Sequence, residues 1–359
     1  MLPLLVVAAM GARAAARSDL SCSLNGVLKQ AVCVCDPPWM GSTCSKLDIV
    51  PKKKGTKPAY GFAPNVTSWG GNVIQNDDGT WDLWVSEMIN GCGLLTWVTN
   101  SRIVHATTAD MDSEPFVRKD VALEAWAHNA APVRAPNTHT ACPGCYYLFH
   151  IGDGSLGSKQ PKKCTPSSTQ SDMLDSDPSM AQLPAANGSS SFLVHRSKTP
   201  AGPWTPLPAI PHRGCNNPAP AFARNGTLFV LCSSSSIWMT ENPTSPAAWT
   251  LVTQINLNDS PWTGNKPSAY LRVEDPYLYQ DKNENWHLLV HLYDYRDGWP
   301  PNPNQTEPVL VSGHAYSTDL RTFHYSVEPG KTLGESQPFD PWVVFDDGSR
   351  QNYSTFERP

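Results

Sequence analysis

The sequence has little charge and no extended basic segment. Charged residues make up 16% of the 359 residues, the formal net charge is −5 at pH 7, and the longest run of Lys or Arg is Lys52–Lys54. Proteins that bind nucleic acid hold its phosphates with a concentrated positive surface. The composition therefore excludes nucleic acid as an expected partner.

Long apolar runs are also missing. No stretch approaches the roughly 20 apolar residues that a membrane-spanning helix needs, and the N-terminal run Leu2–Met10 is too short. That run leads into Ala12-Arg13-Ala14, which fits an A-x-A cleavage site. We therefore predict a signal peptide over residues 1–16, a secreted, extracellular protein and no membrane span. The alternative is a translation start misplaced upstream of a domain that has no signal peptide. This alternative arises because no Lys or Arg precedes the apolar run.

The sequence lacks the motifs of several enzyme classes. It has no Gly-rich phosphate loop, no Walker motif, no G-x-S-x-G elbow and no H-E-x-x-H zinc motif. Cys142-Pro143-Gly144-Cys145 is a C-x-x-C motif, but it falls in a predicted hairpin turn rather than at the helix N-terminus that activates a thiol. We interpret it as structural. The sequence implies no metal site and no cofactor, although the axis of the fold inferred below has room for a structural cation.

Cysteine, proline and glycine are plentiful by contrast. The chain has 10 Cys, 34 Pro, 24 Gly and 13 Trp, a composition that disfavours long helices and favours short strands with frequent turns. An even number of cysteines suits an oxidising compartment, where disulfides persist. N-x-[ST] sequons predict a glycoprotein, with acceptors at Asn65, Asn187, Asn225, Asn258, Asn304 and Asn352.

The first four cysteines lie close together in CSLNGVLKQAVCVCDPPWMGSTC. The second half of this segment, Cys33-x-Cys35 followed by Gly41-x-x-Cys44, resembles the C-terminal half of an EGF-like domain. Such domains usually carry six cysteines. The resemblance implies the pairs Cys22–Cys33 and Cys35–Cys44, with the two missing cysteines being each other's partners.

A zinc site is the rival interpretation of this cluster, since four cysteines can hold the metal tetrahedrally. The C-x-C spacing and the secreted context favour disulfides. We assign residues 18–46 to a shortened EGF-like module, a spacer or a contact module for extracellular proteins, and residues 47–59 to a linker. The pairing of the other six cysteines cannot be read from the sequence; they are Cys92, Cys142, Cys145, Cys164, Cys215 and Cys232.

One pattern recurs through the rest of the chain. Two polar residues, a proline, an apolar run, a turn and a second apolar run appear in HNAAPVRAPNTHTACPGCYYLFHI, in NNPAPAFARNGTLFVLC and in EDPYLYQDKNENWHLLVH. GNVIQNDDGTWDLWVS follows a similar plan, and each copy is followed by a further strand-like segment. Repeats of about four strands are typical of the blades of a β-propeller, which bury their faces by stacking radially.

We therefore predict an all-β fold, a five-bladed β-propeller over residues 60–359, with a mobile insertion around residues 153–191. A β-sandwich with similar turns is the alternative. The fifth repeat is truncated, because the chain stops after Phe356-Glu357-Arg358-Pro359. We expect a longer natural chain, with about 50 or more further residues, to close the ring.

The phrases AHNAAPV, CNNPAPAF, EDPYLY and FERP resemble the blade starts of five-bladed propeller glycosidases of the arabinanase and β-xylosidase type, glycoside hydrolase family 43 and its relatives. The resemblance covers roughly residues 60–359. It implies acidic residues at the starts of the first three blades: a base, a pKa-tuning aspartate and an acid. This chain departs from that pattern, since the first three starts read WGGN, HN and NN. Acids stand only at the fourth, Glu274-Asp275, and at the fifth, Glu357.

Glycoside cleavage needs a carboxylic acid to protonate the leaving oxygen and a carboxylate to activate water or attack. We therefore take Glu274 as the candidate general acid, with Glu357 or Asp275 as its partner. Strand capping, or ion pairs with Arg272 or Arg358, would explain the same acids without catalysis.

The candidate sugar-binding residues are polar groups at the blade starts, namely His128, Asn129, Asn216, Asn217, His291 and Arg358. His287 is a further histidine near these strands, and Trp69, Trp126, Trp262 and Trp299 are candidates for stacking on sugar rings. The predicted function is hydrolysis or binding of a carbohydrate in the axial cavity. The alternative is a non-catalytic extracellular module that binds carbohydrate or protein.

Overall fold

The computed structural model describes residues 19–47, 60, 66–111, 113–152, 154, 160–165, 193–208, 215, 217–232, 235–256, 271–294, 311–326, 342–344 and 350–352. The predicted signal peptide and most of the predicted linker lie outside these residues. For part of the strands, including Glu274, Asp275 and His291, the backbone alone is described. None of the described helices is long and apolar enough to span a membrane.

The N-terminal module consists of two small hairpins. A 3₁₀ turn at Leu20–Cys22 precedes β1 (Gly26–Lys29) and β2 (Val32–Cys35), and β3 (Trp39–Met40) pairs with β4 (Lys46–Leu47). Its disulfides are Cys22–Cys33 and Cys35–Cys44, the pairs that the EGF-like resemblance implies. A segment this short buries little apolar surface, and each disulfide contributes about 2–4 kcal/mol of stability.

Four antiparallel four-stranded sheets follow, each with its strands in chain order. Blade 1 contains β5 (Thr67–Gln75), β6 (Trp81–Met88), β7 (Ser101–Thr108) and β8 (Val117–Leu123). A 3₁₀ turn at Leu94–Thr96 and the short helix α1 (Trp97–Asn100) lie between β6 and β7. Blade 2 contains β9 (Ala127–Arg134), β10 (Tyr146–Gly152), β11 (Leu193–Ser197) and β12 (Thr205–Pro206).

Blades 3 and 4 repeat the plan. Blade 3 contains β13 (Ala219–Phe222), β14 (Leu228–Leu231), β15 (Ser236–Thr240) and β16 (Thr250–Gln254), with a 3₁₀ turn at Pro246–Ala248 before β16. Blade 4 contains β17 (Leu271–Gln280), β18 (Trp286–Asp294), β19 (Val311–Ser317) and β20 (His324–Tyr325). A separate hairpin of β21 (Trp342–Val344) and β22 (Arg350–Asn352) follows.

The blades stack side by side with their first strands innermost. β5 contacts β9, β9 contacts β13, and β13 contacts β17. The apolar cores lie between neighbouring sheets: Trp84 with Leu148 between blades 1 and 2, Tyr147 with Val230 between blades 2 and 3, and Leu231 with Leu288 between blades 3 and 4. Side chains alternate across each strand, so each blade has two faces to bury, and stacking on a neighbouring blade covers one or both of them. The fold is an all-β propeller with four blades among the described residues; Glu357, at the predicted fifth blade, lies outside them.

The N-terminal module docks on blade 4. The Trp39 ring lies 4.5 Å from the imidazole of His314, and the hydroxyl of Tyr316 donates a 3.2 Å hydrogen bond to the carbonyl of Leu20. Lys282 Nζ lies 3.2 Å from Asp36 Oδ1. The module therefore contacts the face of blade 4 that points away from blade 3, whose own contacts use Leu288 and its neighbours.

The remaining cysteines also form disulfides. The pairs are Cys92–Cys164, Cys142–Cys145 and Cys215–Cys232, so no free cysteine occurs among the ten. Cys142–Cys145 closes the β9–β10 turn. This disulfide agrees with the structural role inferred for the C-x-x-C motif. Cys92–Cys164 ties the β6–β7 connection of blade 1 to part of the predicted mobile insertion after β10. The residues of that insertion around Cys164 are thus attached to blade 1.

Candidate functional site

The first strands of blades 1, 2 and 3 share an unusual backbone conformation near their starts. Gly70, Asn129 and Asn217 have φ angles of +54°, +53° and +46°. They occupy the same register in blades 1, 2 and 3, counted back from the turn that ends each first strand, and Asp275 stands at this register in blade 4. We call the end of the sheets where these residues lie the leading end.

This backbone explains which residue types occur there. Left-handed φ is strained for most residues, and Gly, Asn and Asp tolerate it best. The strand pairing shifts register beside this position in blades 1, 2 and 4, as in a β-bulge. A bulge re-aims a side chain and is common next to binding sites. The amides at the blade starts are therefore partly a consequence of the chain geometry.

The two asparagines meet between blades. The side-chain amide of Asn129 donates a hydrogen bond to Oδ1 of Asn217. The backbone N–H of Asn129 donates a 3.0 Å hydrogen bond to Oγ of Ser86 on β6, so the residue also contacts blade 1. Asn217 is buried and Asn129 is half-buried. Residues from three blades thus converge here.

One atom of this cluster is left over. Oδ1 of Asn129 is buried, and no hydrogen-bond donor to it occurs in the described part of the chain. Leaving a buried polar atom without a partner costs about 1–3 kcal/mol, and such atoms in native proteins call for a water, an ion or a ligand. The amide oxygen therefore keeps acceptor capacity that no described residue uses.

His128 lies next to the amide pair but contacts blade 1. Its Nδ1 lies 2.7 Å from Oγ of Ser101, and its ring lies 4.9 Å from the ring of Trp97. Complete burial lowers the pKa of His128 to about 3, so the imidazole is neutral at pH 7. It acts here as a neutral hydrogen-bonding and packing partner rather than as a charged group.

The structure places the predicted acids only in part. Glu274 pairs with His291 across β17 and β18 at the leading end of blade 4, and Asp275 follows it. The side chains of these three residues lie outside the described part, as do Asn216, Glu357 and Arg358 entirely. The catalytic assignments therefore stay predictions.

His287 lies beside the first strand of blade 4, but away from the amide pair. His287 pairs with Tyr279 beside the β17–β18 turn, at the end opposite to the leading end. It is buried beside His314, whose Nε2 lies 3.0 Å from its Nδ1, and the module's Trp39 stacks near both rings.

Trp97, Ser86 and Ser101 were missed by reasoning from the sequence. Ser86 and Ser101 are buried strand residues whose hydroxyls bond Asn129 and His128. Trp97 lies in the β6–β7 connection, outside the repeated sequence pattern, so no pattern marked it. The shared register of Gly70, Asn129 and Asn217 was the one available signal, because all are residue types that tolerate left-handed φ.

The described side chains offer no open metal site. The one group with metal-like spacing is Cys22, Cys33 and Cys44, and all three are in disulfides. His150 Nε2 and His195 Nδ1 lie 2.9 Å apart in blade 2 and bond each other. No third metal-ligating side chain groups with them among the described residues.

No protein-family model matches this sequence, and no curated protein matches it. Solved structures do resemble the fold. A family 117 glycoside hydrolase of the marine bacterium Zobellia galactanivorans has a TM-score of 0.47 and 12% identity, over 76% of this chain and 74% of that chain. An endo-arabinase of Bacteroides thetaiotaomicron has a TM-score of 0.46 and 14% identity, over 82% and 90%. A thermostable family-43 glycoside hydrolase has a TM-score of 0.45 and 13% identity, over 82% and 84%. Likeness at this level does not by itself assign an activity.

Proposed function

We propose that the propeller binds a carbohydrate at its leading end, with Asn129 and Asn217 bonding sugar hydroxyls. The observation that carries the proposal is the buried, unpartnered Oδ1 of Asn129 beside the amide of Asn217. A sugar hydroxyl both donates and accepts, and an amide offers one acceptor and two donors in fixed positions. The neutral His128 adds no charge to this site, which suits an uncharged ligand.

A glycan array probed with the purified protein tests this proposal, followed by calorimetric titration of the best-bound oligosaccharide. Asn129→Gly and Asn217→Gly keep the left-handed backbone, as Gly70 does in blade 1, and remove the amides. Each is expected to weaken binding by about tenfold, which corresponds to one lost hydrogen bond.

Asn225→Gln is the matched control for these variants. Asn225 is exposed in the turn between β13 and β14, at the other end of blade 3. Its substitution is expected to leave affinity unchanged. Failure of the wild-type protein to bind any glycan would refute the proposal, and so would equal affinities for the wild type and both glycine variants.

Hydrolysis of the bound sugar is the second candidate function. The register of β17 favours it, since this register brings Asp275 to the position of Asn129 and Asn217, with Glu274 beside it. In this proposal Glu274 is the general acid, Glu357 or Asp275 is its partner, and Asn216, His291 and Arg358 bind substrate. The two carboxyl groups would need to lie about 5–5.5 Å apart for retention or about 6.5–9.5 Å for inversion.

Aryl-glycosides with different sugars test hydrolysis. Glu274→Gln is expected to abolish turnover while glycan binding persists. Unchanged turnover in that variant would remove the assignment. No turnover by the wild type, together with glycan binding, would leave the non-catalytic function alone.

We also infer that the protein is exported and glycosylated. Disulfides persist in oxidising compartments, and the sequon asparagine Asn225 is exposed in a turn. Enzymatic removal of N-glycans should increase gel mobility of the protein from culture medium. Asn225→Gln should remove one glycan from it; full retention of the protein inside cells would contradict export.

A further inference from the structure

Two tryptophan rings lie together at the leading end, beside the amide pair. Trp97 belongs to α1 in blade 1, and Trp126 immediately precedes β9 in blade 2. Their ring centroids are 6.5 Å apart, with planes inclined by 46°. The Trp97 ring is also 4.9 Å from the ring of His128, the residue before Asn129. The aromatic pair and the amides therefore belong to one neighbourhood.

The position of Trp126 is fixed by a glycine. Gly152, at the end of β10, has φ of +94°, and a Cβ there would lie 2.9 Å from Cδ2 of Trp126 and 2.3 Å from its carbonyl oxygen. The N–H of Gly154 donates a 2.9 Å hydrogen bond to that same carbonyl. The chain thus leaves space under the indole ring and holds its backbone.

The position of Trp97 is fixed by the disulfide-tied loop. Asn100, at the end of α1, bonds the backbone of Lys162 twice: its Nδ2 donates to the carbonyl at 2.8 Å, and its Oδ1 accepts from the N–H at 3.0 Å. The Cys92–Cys164 disulfide joins the same two segments. Both ends of the connection that carries Trp97 are therefore anchored.

The two rings differ from the core tryptophan nearby. Trp84 packs between blades 1 and 2 with no exposed surface. Trp97 and Trp126 are each half-buried, so both residues reach the surface of the protein. Trp84 belongs to the apolar core between blades 1 and 2, whereas Trp97 and Trp126 lie outside that cluster.

We propose that Trp97 and Trp126 form an aromatic platform on which the apolar C–H face of a sugar ring lies, while its hydroxyls reach Asn129 and Asn217. The platform rests on the proposed carbohydrate binding and adds the surface that orients the ring. Binding sites for small molecules combine apolar or aromatic walls with a few placed polar groups. Tryptophan offers a large rigid apolar surface at low entropic cost.

Titration of the best array-bound oligosaccharide against Trp97→Ala and Trp126→Ala tests the platform. Stacking of one aromatic ring is worth about 0.5–1.5 kcal/mol, so each variant is expected to lose about twofold to tenfold in affinity. Trp97→Phe should restore most of that loss, because a smaller ring still stacks. Intrinsic fluorescence should change on binding in the wild type and change less in each alanine variant.

Trp81→Ala is the matched control. Trp81 is half-buried at the start of β6, at the opposite end of blade 1 from Trp97. It is expected to keep wild-type affinity. Urea unfolding of each variant identifies those that remain folded at the titration temperature.

The outcomes separate the two proposals. Wild-type binding that persists undiminished in folded Trp97→Ala and Trp126→Ala refutes the platform and leaves the amide site intact. Equal losses in Trp81→Ala and Trp97→Ala also refute it, since the effect would then be general. No glycan binding by the wild type refutes the proposed function, and the platform with it. If Trp97→Ala does not fold, Trp97→Phe and Trp97→Leu decide, with the leucine variant expected to bind more weakly.

Discussion

Asn129 of blade 2 bonds Asn217 of blade 3 through their side chains, across 88 residues of sequence. Both residues have left-handed backbone, and Gly70 has it at the same register in blade 1. Position 129 therefore has two requirements: a residue type that tolerates left-handed backbone, and a side chain that reaches the neighbouring blade. Substitutions at Asn129 can separate them.

Asn129→Gly and Asn129→Ala are expected to differ in stability. Both lose the hydrogen bond to Asn217, which is worth about 1 kcal/mol. Alanine also places a Cβ on left-handed backbone, which costs about 1–2 kcal/mol more. The free energy of unfolding in urea should therefore fall further for alanine than for glycine. An alanine variant as stable as the glycine variant would show that the backbone relaxes away from φ of +53°.

Gly152→Ala and Gly79→Ala form a second matched pair. Gly152 and Gly79 have nearly equal φ, +94° and +88°, but a Cβ at Gly79 would meet nothing within 4 Å. Gly79→Ala should cost about 1 kcal/mol from backbone strain alone. Gly152→Ala adds a steric clash with Trp126 and should cost about 3 kcal/mol or more. Thermal unfolding measures both, and similar losses would contradict the close approach of Trp126.

Trp39→Ala is expected to release the N-terminal module from blade 4. The ring lies against His314 and is half-buried, so its loss should cost about 2 kcal/mol, less than for a fully buried tryptophan. Met40→Ala, on the same strand with 45% of its surface exposed, should cost less than about 0.5 kcal/mol. Amide exchange in β18 and β19 should rise in Trp39→Ala alone. Equal exchange in both variants would show that the module does not depend on this contact.

Stability is expected to fall as pH is lowered through about 6.5. Burial lowers the pKa of His150 to about 3 and of His195 to about 4, below the value near 6.5 of an unfolded histidine. The unfolded state therefore binds more protons, and His150 alone should cost about 2 kcal/mol of stability at pH 5 relative to pH 7.5.

His105 should act in the opposite direction. Burial opposes its charge, but hydrogen bonds to Asp82 and Asp120 raise its pKa, so its stabilising contribution is fully present below about pH 6.5 and is lost as pH rises through the raised value. Urea unfolding at pH 7.5 and 5 gives the slopes. His150→Asn should make the loss shallower and His105→Asn should make it steeper; the reverse order would contradict the burial of these rings.

The sequence predicted the blades better than it predicted their assembly. Alternating apolar runs with turns such as Asp78-Gly79 and Asn225-Gly226 mark hairpins locally, so the four sheets were foreseeable. The Cys92–Cys164 pair was not, because it depends on two connections that meet only after the blades stack. The docking of the module was equally hidden, since His314 and Tyr316 look like ordinary strand residues.

The candidate site was predictable where the backbone restricts the residue type. Asn129 and Asn217 stand out because asparagine is one of few residues that tolerate left-handed φ at a blade start. Trp97 has no such restriction and lies in the β6–β7 connection, outside the repeated pattern. Sequence repeats therefore predict the features that all blades share. They do not predict a residue such as Trp97, which lies in a connection outside the repeated pattern.

The contact between Tyr316 and Leu20 joins residues 296 positions apart. During synthesis the cysteine module leaves the ribosome first and waits for its partner surface, roughly 15 to 60 s at ordinary elongation rates. Its two disulfides allow it to hold together while it waits. Contacts of such long separation form late, so the nascent chain passes through a stage in which the outer face of blade 4 has been made but is still uncovered.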